Sequence, residues 1–171
     1  MLTRVILTVI GSDRPGLTEA LAGAVLAAGG NWLEGHLARL GGKYVGSVLV
    51  ELPAAGLETL RDGVAHVDAA GLKVDIVVAG DAAPQGAPLE LSVTGQDRPG
   101  IVREVAAVLA GLGVNIEALE TEIADSAWSG SPLFKAQAQL LVPPGVSEAD
   151  VQAALEAISG EIMVDFTVAA A

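Results

Sequence analysis

The stretch VIGSDRPGLTEAL, Val9–Leu21, returns later in the chain as VTGQDRPGIVREV, Val93–Val105. Each copy places Gly-x-Asp-Arg-Pro-Gly between an apolar, strand-like run and a helix-like run. Gly11 and Gly95 set an offset of 84 positions, and the offset continues without a gap through the apolar positions of the helix that follows. Those positions have the spacing of one helix face. So many matches indicate an internal duplication.

Each copy predicts the order β-α-β-β-α-β. In the first copy we predict strands over residues 3–10, 32–40, 44–52 and 72–79, and helices over 17–28 and 57–69. In the second we predict strands over 89–95, 114–124, 133–142 and 162–168, and helices over 101–111 and 148–158. The third strand is offset by 90, so six extra residues fall in the second hairpin around DSAWSGSP, whereas GGK forms the first hairpin turn.

This order predicts an α+β protein built from two tandem ferredoxin-like subdomains, each an antiparallel four-stranded sheet with both helices on one face. We expect a first domain over residues 1–80 and a second over 89–171. The stretch GDAAPQGAP is rich in Pro and Gly, which predicts a linker over 81–88.

The sheet faces that the helices leave open are predicted to differ. The segment FKAQAQL alternates strictly, which places Lys135, Gln137 and Gln139 on the second open face. On the first, Ile6, Thr8 and Ile10 match Glu90, Ser92 and Thr94 by the 84 offset, and Leu49 adds to the apolar set. An apolar open face needs a cover. We expect a homodimer, although packing between the two halves of one chain would also cover it.

The Asp-Arg-Pro-Gly turn can be interpreted physically. Gly11 ends the strand, Asp13 caps the helix through the Gly16 N–H, and Pro15 occupies the first helical turn. Gly16 leaves room for a group to approach the backbone. A strand-to-helix turn of this kind suits a carboxylate or a phosphate. Capping alone would account for Asp13 and Pro15, but it does not account for Arg14 or for the glycine, so a structural turn and a ligand site both remain open.

Composition excludes several classes of function. The 171 residues include no cysteine, which excludes thiol catalysis and disulfides, and His36 and His66 lack a third ligand at metal spacing. A net charge of −12 with no basic cluster argues against direct nucleic-acid binding. No run is long and apolar enough for a signal peptide or a membrane helix. We expect a soluble, cytoplasmic protein without metal or cofactor.

The segments GSDRPGL and GQDRPGI, followed by a helix and then by GGNWLEGHL or GVNIEALET, resemble the ACT domain, a small-molecule-sensing module with the same element order. A free-standing tandem pair with a longer second hairpin containing Trp128 resembles the glycine cleavage system transcriptional repressor group. The resemblance implies a non-enzymatic regulator that binds an amino acid effector and acts through a protein partner such as a transcription regulator.

In ACT domains, effectors commonly bind where the first loop of one domain meets the second strand of another. The resemblance therefore implies a set of ligand-binding residues in both copies: Asp13, Arg14, Gly16, Leu17, Asn31, Asp97, Arg98, Gly100, Ile101 and Asn115. The alternative is an acylphosphatase-like enzyme in which Arg14 and Asn31 hold a phosphate and a water. The duplicated motif argues against it, because an enzyme usually builds one active site.

Overall fold

The predicted β-α-β-β-α-β order occurs twice in the computed structural model, which describes residues 1–12, 14–80, 85–125, 132–158 and 163–167. The first unit contains β1 (Leu2–Ser12), α1 (Leu17–Ala27), β2 (Asn31–Leu40), β3 (Lys43–Pro53), α2 (Leu57–Ala69) and β4 (Leu72–Val78). The second contains β5 (Ala87–Gln96), α3 (Ile101–Gly111), β6 (Asn115–Asp125), β7 (Pro132–Val142), α4 (Glu148–Glu156) and β8 (Met163–Thr167).

Each unit has one antiparallel four-stranded sheet. The strand order is β2-β3-β1-β4 in the first and β6-β7-β5-β8 in the second. In both, the first strand of the unit pairs with the third and the fourth, and the second strand lies at an edge. The predicted α+β fold with two ferredoxin-like subdomains is confirmed.

The boundary between the units lies near the predicted linker. The chain divides into Met1–Ala82 and Ala83–Ala171. Strand β5 begins at Ala87, so the last two residues of the expected linker belong to a strand. Residues 81–84 of that linker lie outside the described residues, and the limits of the two domains stay a prediction.

Each sheet buries one face under its own helices because alternate strand residues point to opposite sides. In β1, Val5, Leu7 and Val9 are buried, and they pack with the apolar face of α1 and with Leu60 of α2. The second unit has its own cluster, to which α3 and α4 contribute Ile101, Val105, Leu109, Val151 and Leu155. Both cores are largely aliphatic, as the low aromatic content implies.

The predicted contrast between the open faces is present. Lys135, Gln137 and Gln139 alternate with buried residues of β7 and are exposed. In the first sheet, Ile6 pairs with Leu49 and with Val77 of β4, and Ile10 pairs with Val45 of β3. Ile10 and Val77 are each 52% exposed, so the first open face carries apolar side chains that contact water.

The two hairpins differ. Gly41 and Gly42 both have positive φ, 56° and 79°, which is the geometry of a tight type I′ turn and agrees with the predicted GGK hairpin. The longer insertion in the second hairpin, with Trp128, lies outside the described residues. Among the helices that the structure describes, none is long and apolar enough to cross a membrane.

Candidate functional site

The glycines that end the two Asp-Arg-Pro-Gly turns lead into α1 and α3 with the same backbone conformation. Gly16 and Gly100 both have φ of 91° in the left-handed region and occupy the N-cap position. The helices begin one residue later, so Pro15 and Pro99 precede the helix, and the expected place for the proline within the first helical turn is wrong. The glycine is required for its conformation, because other residues adopt a positive φ only at a cost.

The role predicted for Gly11 also needs correction. Strand β1 continues through Ser12, so Gly11 does not end it. A Cβ atom on Gly11 would lie 2.3 Å from the carbonyl oxygen of Gly71, and the Ser12 N–H donates a hydrogen bond of 3.3 Å to that oxygen. Gly11 therefore allows the start of β4 to approach β1 closely.

The expected cap by the aspartate is absent in the second turn. The Asp97 carboxylate is exposed and accepts no hydrogen bond from the described residues, and no side chain caps Gly100. The backbone reaches the helix through the left-handed glycine instead, which leaves Asp97 available for another group. Asp13 lies outside the described residues, so its predicted cap stays a prediction.

A shallow surface depression, here the first hollow, opens at the first turn. It is lined by Arg14, Pro15, Gly16, Leu17, Thr18 and Tyr44. The hydroxyls of Thr18 and Tyr44 are 2.7 Å apart, and either one can be the donor. Arg14 is exposed and makes no hydrogen bond or ion pair with any described residue. Guanidinium and hydroxyl groups together suit an oxyanion.

The matching second hollow is chemically different. It is lined by Asp97, Arg98, Gly100, Ile101, Val102, Thr121, Glu122, Ile123 and Phe134. Val102 stands where the first copy has Thr18, and Phe134 stands where the third strand has Tyr44. The hydroxyl pair of the first hollow is thus replaced by an apolar pair.

The arginine of the second turn, Arg98, forms an ion pair with the carboxylate of Glu104. Arg98 Nη1 donates to Glu104 Oε1 at 2.8 Å, and Arg98 Nη2 donates to Glu104 Oε2, which makes a two-point ion pair. The hydrogen bond to Arg98 lowers the pKa of Glu104 below its ordinary value, against the opposing effect of desolvation, and it raises the pKa of Arg98. The matching position of the first copy is Ala20, which has no charge.

The structure separates the asparagines from the turns within each unit. Asn31 pairs with Glu51, which pairs with Arg4, whereas the turn follows Ser12. Eight residues of strand at about 3.3 Å each put roughly 26 Å between the two places. Asn115 stands at the same end of the second sheet, where its side-chain amide donates to Glu117. A joint site made by Arg14 and Asn31 of one unit, as the acylphosphatase-like alternative requires, is therefore not formed.

Sequence reasoning missed the groups that distinguish the two hollows. The 84 and 90 offsets align Thr18 with Val102, Ala20 with Glu104 and Tyr44 with Phe134, so a comparison of the copies could have shown the exchanges. No metal-binding cluster is present among the described residues. Glu117, Glu120 and Glu122 form an acidic run on β6; all three are exposed, and Glu122 lies 3.9 Å from Lys135.

Two family models match the chain, one for an ACT domain over residues 3–78 and another for an ACT domain over 89–135. The chain belongs to the ACT-domain family. Two ACT domains stand in tandem, as the resemblance in the sequence indicates. ACT domains are small-molecule-sensing modules, and this membership supports a ligand-sensing, regulatory role.

Solved structures of similar fold cover nearly the whole chain. An unknown protein from Galdieria sulphuraria is 28% identical, with 99% of this chain and 100% of that chain covered and a TM-score of 0.80. A candidate glycine cleavage system transcriptional repressor is 15% identical, with 98% and 99% covered and a TM-score of 0.69, which shows a shared fold. The comparison with curated proteins found no match to this chain.

Proposed function

We propose that this tandem ACT protein is a non-enzymatic regulator that binds an amino acid or a similar small carboxylate at one or both of its Asp-Arg-Pro-Gly turns. The observation that carries the proposal is the duplicated turn, in which a left-handed glycine and an arginine line a surface hollow at the start of a helix. A helix start offers backbone N–H groups without intrahelical partners. Arginine adds a charge and a planar fork for a carboxylate.

We propose that self-association brings Asn31 to the ligand. Because Asn31 lies roughly 26 Å from the turn of its own unit at about 3.3 Å per strand residue, it would contact a ligand only at the turn of another ACT domain. A second copy of the chain would supply that turn, which agrees with the family expectation that effectors lie between two domains. The amide of Asn31 can both donate and accept, so it suits either end of an amino acid.

We infer that the signal passes through a protein partner. The net charge of −12 disfavours direct contact with nucleic acid. The family resemblance to glycine cleavage system repressors favours control of transcription in amino acid metabolism, and glycine metabolism in particular, with a transcription regulator as the partner. Specific operator binding by the purified chain at physiological salt would overturn this part of the proposal.

A thermal-shift screen with each of the twenty common amino acids tests the ligand class. A ligand that binds only the native state stabilises it by RT ln(1 + [L]/Kd), roughly 2.7 kcal/mol at a hundredfold excess over Kd. We expect at least one amino acid to raise the melting temperature. The matched amines without a carboxylate should not do so. A screen in which no amino acid changes the melting temperature would contradict the proposal.

A further inference from the structure

The two turns end in glycines of the same conformation, but their described residues present different charges to a ligand. In the first hollow, Arg14 is the charged lining group among the described residues. In the second hollow, Arg98 is joined by the carboxylate of Glu122, where the first copy has Ala38, and by Asp97, whose counterpart Asp13 lies outside the described residues and is left out of the comparison. Glu19 and Arg103 occupy matched positions on the two helices and line neither hollow, although the charge of Arg103 helps to lower the pKa of Glu104.

From this contrast we propose that only the first turn binds a carboxylate, and that Glu104 closes the second turn to anions by occupying Arg98. The inference rests on the proposed function and specifies which of its two sites takes the acidic end of the ligand. A bound carboxylate at the second turn would have to displace the Glu104 carboxylate from both guanidinium nitrogens. Arg14 faces no such competitor among the described residues.

The hydroxyl pair adds a second difference. When Thr18 and Tyr44 share one hydrogen bond, the accepting hydroxyl keeps its own proton and can donate it to a ligand oxygen. Val102 and Phe134 offer no donor at the matched place, and Ile123 is 56% exposed beside them. The first hollow therefore provides a cation and a donor for an oxyanion, and the second provides neither in free form.

Substitutions at two matched positions, Ala20 and Glu104, test this inference. The Ala20 N–H donates to the Gly16 carbonyl and the Glu104 N–H donates to the Gly100 carbonyl, both at 3.0 Å, so the two residues stand at the same place in their helices. Ala20→Glu should build the competing ion pair in the first turn, and Ala20→Gln is the uncharged control of the same size. Glu104→Ala should release Arg98 in the second turn.

The readout is the backbone amide NMR spectrum of the full chain, titrated with acetate and with glycine. In the native chain we expect saturating shifts at Gly16–Thr18 and none at Gly100–Val102. Ala20→Glu should weaken the response at the first turn about tenfold or more, since charge-assisted hydrogen bonds are the strong ones, while Ala20→Gln retains it. Tyr44→Phe should weaken it less. Glu104→Ala should make Gly100–Val102 respond.

Each other outcome is informative. Equal shifts at both turns of the native chain, or an Ala20→Glu variant that titrates like Ala20→Gln, would overturn the inference and leave the proposed function standing. No response at either turn to acetate, glycine or any other common amino acid would overturn both.

Discussion

At the scale of single residues, the glycine before each helix is a conformational requirement. A Cβ on Gly16 would meet no atom within 4 Å, yet its φ of 91° disfavours any side chain. A bulky substitution is therefore a poor probe of ligand approach, because it strains the turn even where space is available.

We predict that Gly16→Ala lowers the free energy of unfolding by about 1–2 kcal/mol, the cost of a left-handed non-glycine residue. Gly23→Ala is the matched control, because Gly23 lies inside α1 with open space around it, and it should stabilise the protein by up to about 1 kcal/mol. Urea unfolding measures both. Equal effects of the two substitutions would refute the account of the turn.

The Arg98–Glu104 pair leads to a prediction about pH. Because the pKa of Glu104 is lowered in the folded protein, chiefly by the hydrogen bond from Arg98, the pair stabilises the native state above the unfolded pKa. That contribution is lost as pH falls through the lower folded pKa. We expect Glu104→Gln to destabilise the protein at neutral pH and to be without effect in strong acid.

The control for this series is Glu19→Gln, an acidic residue in the first turn of α1 that is exposed and has no ion pair among the described residues. Because Glu19→Gln removes a first-turn charge but no ion pair, it measures the effect of the helix dipole on stability separately from the effect of the Arg98–Glu104 pair. Urea unfolding across the acid range gives the comparison. If Glu104→Gln and Glu19→Gln follow the same pH dependence, the ion pair does not stabilise the fold.

At the scale of elements, the four described helices begin in three different ways. Helices α1 and α3 start from left-handed glycines, α2 starts from the right-handed Gly56 without a side-chain cap from the described residues, and α4 starts from a capping box. There the Asp150 N–H donates to Ser147 Oγ at 3.2 Å and the Ser147 N–H donates to Asp150 Oδ2 at 2.8 Å. The hydrogen bonds from the Ser147 hydroxyl and N–H lower the pKa of Asp150. Among the described helices, a left-handed glycine at the N-cap is therefore the feature that distinguishes the two helices of the candidate site.

Replacing Ser147 with alanine should cost about 1 kcal/mol of stability, the usual effect of losing an N-cap. Ser92→Ala, on the open face of β5, is the control and should change little, because its hydroxyl has no partner among the described residues. Chemical unfolding of the two variants is the measurement, and a neutral Ser147→Ala would show that the box contributes nothing.

The elements were predictable from sequence where periodicity and repetition act together. Helix α2 matches its predicted span, and the β7 alternation gave the open face correctly, because both signals follow directly from burial. The Arg98–Glu104 pair was not predictable, since its six-residue separation spans a turn whose geometry depends on the φ of Gly100. The separation of Arg14 from Asn31 depends likewise on strand register, which neither residue encodes alone.

At the scale of the whole molecule, the duplicated fold carries two unlike surfaces. Ile10 on the first open face and Thr94 on the second hold matched positions in β1 and β5. An exposed apolar sheet face is a typical contact surface. We propose that the first open face contributes to a homodimer.

We expect Ile10→Lys to shift the chain from dimer to monomer in sedimentation velocity, because it places a charge in the apolar face. Thr94→Lys makes the matched change on the polar sheet and should leave the association unchanged. A native chain that sediments only as monomer at tens of micromolar would contradict the dimer, and an Ile10→Lys dimer would exclude this face as its interface.

The central claim is that this ACT pair senses an amino acid at one or both of its arginine-bearing turns. Isothermal titration of the amino acid that most raises the melting temperature tests it most directly, with the native chain, an Arg14→Gln, Arg98→Gln double variant and an Arg61→Gln control on α2. We predict saturable binding that the double variant weakens about tenfold or more and that Arg61→Gln leaves unchanged. Unaltered affinity in the double variant, or no binding by the native chain, would contradict the claim.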